Sequence, residues 1–472
     1  MSTNRYRYYL EHFTGQLPLG EAFDLVERPI VIGGRRGRLY FVDGLSDSEK
    51  LQHLFNFLMA VPKDAIAGEI DADHFMSEFF PFIKSSAESD PDKAVRFLYA
   101  GLSPIILDGL DKIIIADTRR YPQRSVEEPD KEKTLRGAKD GFTESIMENL
   151  GMIRRRIRDN RLIFKNFTVG EKSRTDVAVC YMKGSADMNL VERIEKGLSE
   201  IIIDSVSIGD QTIVEQLIIK LNGGKRKLRL NPFPKVRYTQ RPDIICAHLT
   251  EGKIALIVDT SPTAILLPVG IFDFTQDVDD YYFPLITGNY LRFLRIFNMM
   301  VILFLTPVYL LIVEGDIPPP LSMDFITPKE PFALPVFWQF ILLELAVDGL
   351  RLASLNTPDS LGTSLSVIGA LILGEFSVSS GWFIPQTILM MAVVSLASFT
   401  QPSIELSYGI KFIRVIMLIG AMLFSWPGLL AGFAAGLILI TVTKTLSGHS
   451  YLYPLFPFHW KSLKKLIFRT AQ

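Results

Sequence analysis

Two carboxylates in a mostly apolar stretch have the chemistry to bind a cation. Glu344 and Asp348 lie in FILLELAVDGLRLA, four positions apart, which places them on one face of a helix. An ionised side chain at the centre of a membrane helix costs about 2.5–3.5 kcal/mol, so both should face the helix bundle or water. They are candidates for an ion pathway, or for structural carboxylates bonded to a neighbouring helix. Arg351 is close enough in sequence to neutralise either, which would argue against a free cation site.

Small residues form a second pattern in the segment 361–376. Gly362, Ser366 and Gly369 recur at positions i, i+4 and i+7, so they share a partly polar face of an otherwise apolar helix. Such a face can line water in a ring of subunits, or it can let helices pack closely. Glu375 lies at the end of the segment, and a ring of carboxylates at a pore mouth concentrates cations. The segment is therefore a candidate pore lining.

These residues lie in a part of the chain that is predicted to cross a membrane. The run IFNMMVILFLTPVYLLIV from Ile296 to Val313 carries no formal charge, and its length spans most of a hydrocarbon core of about 30 Å. Basic residues flank the first and last apolar runs, which predicts an even number of crossings with both ends inside. Four spans plus a re-entrant pair is the alternative to six. The candidate spans are 296–313, 333–350, 361–376, 381–399, 411–426 and 428–443, with a tight break at Trp426-Pro427-Gly428.

The chain before about residue 290 predicts a soluble α/β region of two subdomains. Runs such as RLYFVDG predict strands, and runs such as SDSEKLQHLFNFLMAV predict helices. A charged, Pro-containing stretch separates the two parts, and no convincing internal repeat is evident. The expected divisions are a first cytoplasmic α/β subdomain at 1–120, a linker at 121–134, a second cytoplasmic α/β subdomain at 135–290, an all-α multi-span transmembrane domain at 291–445 and a cytoplasmic tail at 446–472.

Catalytic and cofactor motifs are not supported. GGRRG at Gly33 to Gly37 lacks both the dinucleotide spacing and the lysine-hydroxyl ending of a phosphate-binding loop, so it predicts a hairpin turn. The His residues never pair at ligand spacing, and Cys180 and Cys246 are expected to be buried, inert thiols. We therefore expect no enzyme activity, no cofactor, no metal and no nucleic-acid partner.

Four arginines cluster at the end of a predicted helix, DGFTESIMENLGMIRRRIRD, in the second subdomain. Asp140 is expected to cap the start of this helix, and the basic end suits its dipole. The arginines surround the helix on several faces, so at least one is expected to reach a carboxylate across a subdomain or subunit interface. The candidate interface residues are Arg154, Arg155, Arg156 and Arg158.

Several longer strings, taken in order, resemble one protein family. Those in the soluble half are LRGAKDGFTES (135–145), IRRRI (153–157), RTDVA (174–178), NPFPKV (231–236), RPD (241–243), EGK (251–253) and VDTSP (258–262). Those in the membrane half are LLEL (342–345), IGALILG (368–374), ASF (397–399), PSIEL (402–406) and YLYPL (451–455). Over nearly its whole length the chain resembles the A subunits of GerA-type spore germination receptors.

The resemblance implies a multi-pass protein of the spore inner membrane in a spore-forming Gram-positive bacterium. It implies a homo-oligomeric channel for monovalent cations, with the lipid bilayer and other germination-receptor or spore membrane subunits as partners. Ile32-Gly33-Gly34 and Asp259-Thr260-Ser261-Pro262 are closer to the stage V sporulation protein AF branch of the family. A non-conducting scaffold for germination complexes and a secondary transporter are the alternatives, although no repeated halves of the transporter type are evident.

The orientation can be tested by thiol labelling. Because basic residues flank the first and last spans on one side, cysteines introduced at Ser2 and Gln472 should both resist a membrane-impermeant thiol reagent in intact cells. Both should react once the membrane is opened. Labelling of either position before the membrane is opened would contradict the predicted topology.

Overall fold

The computed structural model divides the chain into two compact units, Met1–Arg124 and Ser125–Gln472. The structure describes residues 2–19, 22, 24–63, 70–81, 84–120, 125–129, 132–204, 210–221, 231–277, 279–318, 326–328, 332–356, 374, 377–460 and 463.

The first unit is a five-stranded antiparallel sheet with helices on both faces. Its strand order is β1-β2-β4-β5-β3. The apolar sides of α1 and α4 cover one face of the sheet, and those of α2 and α3 cover the other. The elements are α1 Ser2–Gln16, β1 Leu25–Ile32, β2 Arg35–Val42, α2 Ser48–Met59, α3 Ala72–Phe79, β3 Ser85–Glu88, α4 Pro91–Tyr99, β4 Ser103–Leu107 and β5 Ile113–Ala116.

The second unit begins with a sheet of the same kind, which confirms a soluble α/β region but with antiparallel pairing throughout. The strand order is β6-β7-β9-β10-β8, with α5 and α8 on one face and α6 and α7 on the other. The elements are α5 Ile146–Arg156, β6 Leu162–Val169, β7 Thr175–Met182, α6 Met188–Ser199, α7 Asp210–Leu221, β8 Arg237–Thr239, α8 Pro242–Thr250, β9 Ile254–Val258 and β10 Ala264–Leu267.

The two sheets repeat one topology, so the expectation of no internal repeat was wrong. Their strand orders are identical, and each opens with a hairpin of two eight-residue strands paired along their full length. From α4 to β5 every element recurs as α8 to β10 with the same length or register. The helices start at 91 and 242, the next strands at 103 and 254, and the last strands at 113 and 264, which is a constant shift of 151 positions.

The repeat is faint in the sequence because most matched positions keep only their apolar character. At the shift of 151, identical residues occur mainly where a helix starts, where it ends, and after the following strand. These pairs are Pro91 and Pro242, Asp92 and Asp243, Leu98 and Leu249, Gly101 and Gly252, and Asp108 and Asp259. Both glycines have a positive φ at the end of their helix, which is the conformation that a helix C-terminus commonly needs.

The described residues after β10 are mostly helical. The helices are a 3₁₀ helix at Ile271–Phe274, α9 Asp279–Tyr282, α10 Leu285–Val313, α11 Val336–Asn356, a short helix at Ser377–Ser379, α12 Pro385–Phe399 and α13 Ile404–Val442. Among the described residues, α10 and α13 are long and apolar enough to cross a membrane by length and composition, and α12 is a shorter apolar helix. On this criterion the multi-span prediction holds only in part.

Helix α13 is two helices joined by a sharp break. Phe424 and Ser425 have non-helical backbone angles, with φ of −136° and +53°. A β-carbon placed on Gly428 would lie 1.9 Å from the carbonyl oxygen of Gly420, and one on Gly436 would lie 2.6 Å from Ile413. In a straight helix residues 413 and 436 would be about 35 Å apart. The two arms, 404–423 and 426–442, therefore pack antiparallel as a hairpin. The break lies at Phe424 and Ser425, just before the predicted Trp426-Pro427-Gly428.

Close packing of this hairpin depends on glycine. Replacing Gly428 by Ala forces a methyl group into the Gly420 carbonyl, and overpacking of this kind costs about 1–3 kcal/mol or more. Gly349→Ala in α11 is the matched control, because nothing lies within 4 Å of its β-carbon position. In detergent, we expect Gly428→Ala to melt at a lower temperature than the wild type. The control should melt at the same temperature as the wild type. Equal melting temperatures would contradict the tight hairpin.

Candidate functional site

Four charged side chains form a cluster between α11 and α13. Glu344 accepts a hydrogen bond from Arg414, and its other carboxylate oxygen lies 3.0 Å from the Lys411 ammonium. The same ammonium contacts Asp348. Glu344, Asp348, Lys411 and Arg414 are called the charged cluster below. The structure thus brings together the two acids that the sequence singled out, but it pairs each with a cation.

The charged cluster also reaches a third helix. Arg414 donates a second hydrogen bond, of 3.1 Å, to the backbone carbonyl of Ile302 in α10. Arg414 and Glu344 are buried, and Arg414 lies near the middle of the first arm of α13, about 15 Å from either end. A buried pair at this depth is tolerated because each charge offsets the desolvation of the other. The cluster therefore fixes α10, α11 and α13 to one another.

The expected neutralising residue, Arg351, is not the partner of these acids. Its guanidinium donates a 3.3 Å hydrogen bond to the Ser398 hydroxyl and lies over the rings of Phe399 and Tyr408. The partners come from α13 instead, because Lys411 and Arg414 are three positions apart and share the helix face that packs on α11.

A small cavity of about 30 Å³ adjoins the charged cluster. Its lining includes the cluster together with Arg351 and the hydroxyl groups of Ser395, Ser398 and Ser407. A space of this size holds about two water molecules.

A second buried ion pair joins α9 to the start of α10. Asp280 is fully buried, and one carboxylate oxygen lies 2.6 Å from Arg295 and 3.4 Å from Arg292. A β-carbon on Gly288 would lie 2.3 Å from the backbone carbonyl of Asp280, so only glycine allows this approach. Arg292 and Arg295, which are the basic residues that precede the first apolar run, therefore hold the start of α10 against α9.

A buried arginine fixes α9 to the second subdomain, and sequence reasoning did not single it out. Arg241 is 1% exposed, pairs with Asp243 and donates to the backbone carbonyl of Ala138 at 3.0 Å. The Tyr282 hydroxyl in α9 donates to Asp243 at 3.1 Å. The ring of Tyr282 leaves room only for glycine at Gly137, because a β-carbon there would lie 2.4 Å from the ring carbon Cε2. The sequence strings LRGAKDG and RPD could have indicated this contact, because residues from both strings meet around Arg241 and Tyr282.

The chain after the last helix also attaches to the second subdomain. Tyr451 is fully buried, and its hydroxyl donates to the carbonyl of Pro234 at 2.7 Å. Its own carbonyl accepts a hydrogen bond of 3.0 Å from the backbone of Ile271. Asn231 donates to the Thr443 hydroxyl at 2.6 Å, at the end of α13. Burial raises the pKa of Tyr451, so the phenol stays protonated as a donor.

The arginine cluster of α5 makes contacts inside its own subdomain. Arg156 lies 2.5 Å from Asp140, so this acid is not the expected cap, and α5 begins only at Ile146. Burial raises the pKa of Asp140, but the hydrogen bond and charge of Arg156 outweigh it, and the pKa lies below its usual value. Arg154 donates to the backbone of Leu162. Arg158 donates to the backbone of Arg155 at 3.3 Å, and an interface role for the four arginines stays a prediction.

The proposed pore-lining residues Gly362, Ser366, Gly369 and Glu375 lie outside the described residues. Within the described part of the chain, no group of three or more His, Cys, Asp or Glu side chains is arranged to hold a metal ion. Cys180 and Cys246 are free and buried, as expected, and burial raises both pKa values, that of Cys246 to about 12.

Comparison with known proteins gives one consistent result. The family model described as Bacillus/Clostridium GerA spore germination protein matches residues 15–472. Stage V sporulation protein AF of Bacillus subtilis is 34% identical over 98% of this chain and 92% of its own length. Spore germination protein KA of Bacillus subtilis is 28% identical over 96% of this chain and 82% of its own. Spore germination protein GerLA of Bacillus cereus is 28% identical over 96% of this chain and 91% of its own.

The comparison with solved structures found a chain that is similar to part of this one. The N-terminal domain of the A subunit of the Bacillus megaterium spore germinant receptor GerK3 is 28% identical, covers 53% of this chain and 89% of its own, and gives a TM-score of 0.22. With the family match over nearly the whole chain and a relative above 30% identity, the protein belongs to the GerA family of spore germination proteins.

Proposed function

We propose that this chain is a membrane-spanning subunit of an oligomeric channel for monovalent cations that triggers or amplifies ion release during germination. The observation that supports it best is the charged cluster. It lies near the middle of the first arm of α13, and in it Lys411 and Arg414 of α13 neutralise the two carboxylates of α11. Ionisable groups at that depth are costly and usually functional. The family membership supports a role in germination.

The directions of the helices support six crossings. Gln339 near the start of α11 bonds Ile384 and Thr387 at the start of α12, and Arg351 near the end of α11 bonds Ser398 near the end of α12. The two helices therefore run in the same direction. Parallel neighbours in the chain agree with the predicted span 361–376, which lies outside the described residues. With α10, α11, α12, that predicted span and the two arms of α13, we propose six crossings.

The contacts also favour placing both ends of the helical region on one side. Helix α10 starts beside α9, and α13 ends beside Asn231 of the second subdomain. We propose that this side is cytoplasmic, because the tail after α13 carries several lysines and no acidic residue.

The charged cluster is proposed as the closed state of the pathway. Lys411 occupies the position between Glu344 and Asp348 that a permeating cation would take. A change in the second subdomain would reach this region through Asp280 of α9, which pairs with Arg295 of α10, and through Asn231 and Tyr451 at the end of α13. Movement of either arm of α13 would separate Lys411 from the acids and open them to cations.

Removing the Lys411 ammonium should therefore open the site. We expect Lys411→Met, reconstituted in liposomes, to pass monovalent cations faster than the wild type. The triple variant Glu344→Gln, Asp348→Asn, Lys411→Met should return to the wild-type rate, because it has no acid to expose. Lys444→Met, at an exposed lysine outside the cluster, is the matched control. An unchanged rate in well-folded Lys411→Met would contradict the closed-state role.

The pore lining itself is tested by charge removal at Glu375. We expect Glu375→Gln to reduce cation flux most at low ionic strength, because salt screens surface charge over about 8 Å at physiological concentration. A bulky residue at Ser366 or Gly369 should alter conduction more than one at Ile368. An unchanged flux of assembled Glu375→Gln across low and high salt would remove the mouth-charge role. If the wild-type protein gives substrate counterflow without a passive ion leak, a carrier is supported. If it gives no flux at all, a scaffold is supported.

A further inference from the structure

The chain that follows Tyr451 presents an aromatic surface to its surroundings. Tyr453, Leu455, Phe456, Phe458 and Trp460 are 44–66% exposed. The burial of Tyr451 fixes the beginning of this segment against the second subdomain. Five large apolar side chains on a segment anchored in this way form a patch of the kind that marks an interaction site.

The height of this segment follows from contacts among the helices. Asn298 of α10 donates to the hydroxyl of Thr400, which lies just before α13 starts. Gly436 packs against Ile413 across the α13 hairpin, and at that antiparallel register Thr443 lies opposite residue 406. The last helix therefore ends level with the start of α13 and with Asn298.

A contact of the second subdomain locates the edge of the hydrocarbon layer. The Phe233 ring and the Pro232 carbonyl lie 3.1 Å and 3.5 Å from the β-carbon position of Gly409, so the layer begins beyond Gly409 on the first arm of α13. Thr443, which is level with residue 406, and the residues that follow it then lie in the adjoining headgroup layer. On α10, Tyr290, Phe293 and Phe297 precede Asn298 and are also exposed, at 54–67%. Aromatic side chains are enriched at this level of membrane proteins because one end of the ring system is apolar and the other tolerates water.

The charge of the tail indicates which lipids it meets. Residues 444–472 contain no Asp or Glu. Their cations are Lys444, Lys461, Lys464, Lys465 and Arg469. A basic cluster next to a membrane surface attracts anionic headgroups.

From these observations we infer that residues 453–460 insert into the headgroup layer on the soluble-domain side, and that the basic residues of the tail sequence select anionic phospholipids. The occupant of the aromatic surface is lipid and not a partner protein, because the segment follows directly from a membrane helix whose end, Thr443, is level with Asn298 and the exposed aromatics that precede it on α10. Since Tyr451 is buried in the second subdomain, this contact couples the position of that subdomain to the lipid surface. The inference depends on the membrane placement of α13 and does not require conduction.

Trp460 provides the test in the full-length chain. With Trp338, Trp382 and Trp426 replaced by Phe, Trp460 is the sole tryptophan. In phosphatidylcholine vesicles containing phosphatidylglycerol, we expect a blue-shifted emission, quenching by a headgroup spin label that exceeds quenching by a chain-end label, and loss of quenching by iodide. Water-like emission, full quenching by iodide and no quenching by the lipid labels would overturn the inference. The same holds if adding a partner protein then shielded Trp460 from iodide.

A second variant keeps the test independent of tryptophan replacement. Trp460→Cys in the otherwise native chain takes an environment-sensitive thiol dye selectively, because Cys180 and Cys246 are buried. The dye should report the same headgroup location.

Lipid selection is tested separately. Changing the lysines of the tail to Gln should abolish the dependence of the Trp460 signal on phosphatidylglycerol, whereas the same change in the soluble unit should leave it intact. If the Trp460 signal depended equally on phosphatidylglycerol in the tail variant and in the control variant, lipid selection by the tail would be contradicted. The tail variant carries changes at Lys461, Lys464 and Lys465, and the control carries them at Lys172, Lys183 and Lys196.

Discussion

The helical half of this protein depends on one buried interaction, the pairing of Glu344 with Arg414 and Lys411. Neither charge is stable alone when it is buried among apolar helices, so the pair constrains three helices to meet. Breaking a buried pair by removing one partner costs about 3–5 kcal/mol, because the remaining charge stays desolvated. That dependence makes the cluster both a structural constraint and a position from which a small shift of α13 has a large electrostatic effect.

Several contacts connect the helices of this cluster with the soluble subdomain, among them those of Asp280 and Tyr451. Asp280 holds the start of α10, and Tyr451 holds the chain beyond α13. Both α10 and α13 contribute to the cluster, through the Ile302 carbonyl and through Arg414. A rearrangement in the second subdomain would therefore act on the ion pairs through rigid helices and would not need a contact with the membrane core.

Much of this fold could be predicted from local patterns. The strands and helices of the soluble half follow from apolar periodicity, and the Gly33-Gly34 turn and the break near Pro427 follow from residues that end regular structure. The repeat of the two sheets could not, because its positions share apolar character and few identities. The start of α5 was misplaced because Asp140 has the chemistry of a cap but is bonded to Arg156 instead.

The partners in the candidate site could not be assigned for a similar reason. Arg351 is near the acids in sequence, but helix packing brings Lys411 and Arg414 from another segment. The signal was present as two cations three positions apart in an apolar run, although only the tertiary structure shows which face they meet.

Imaging of single particles of the full-length protein in lipid nanodiscs tests the channel proposal most directly. Assembly around a pore predicts rings of several copies, with a central axis lined by the segment 361–376 and the charged cluster beside it. Particles that contain a single copy, or rings whose axis is closed by lipid, would contradict it.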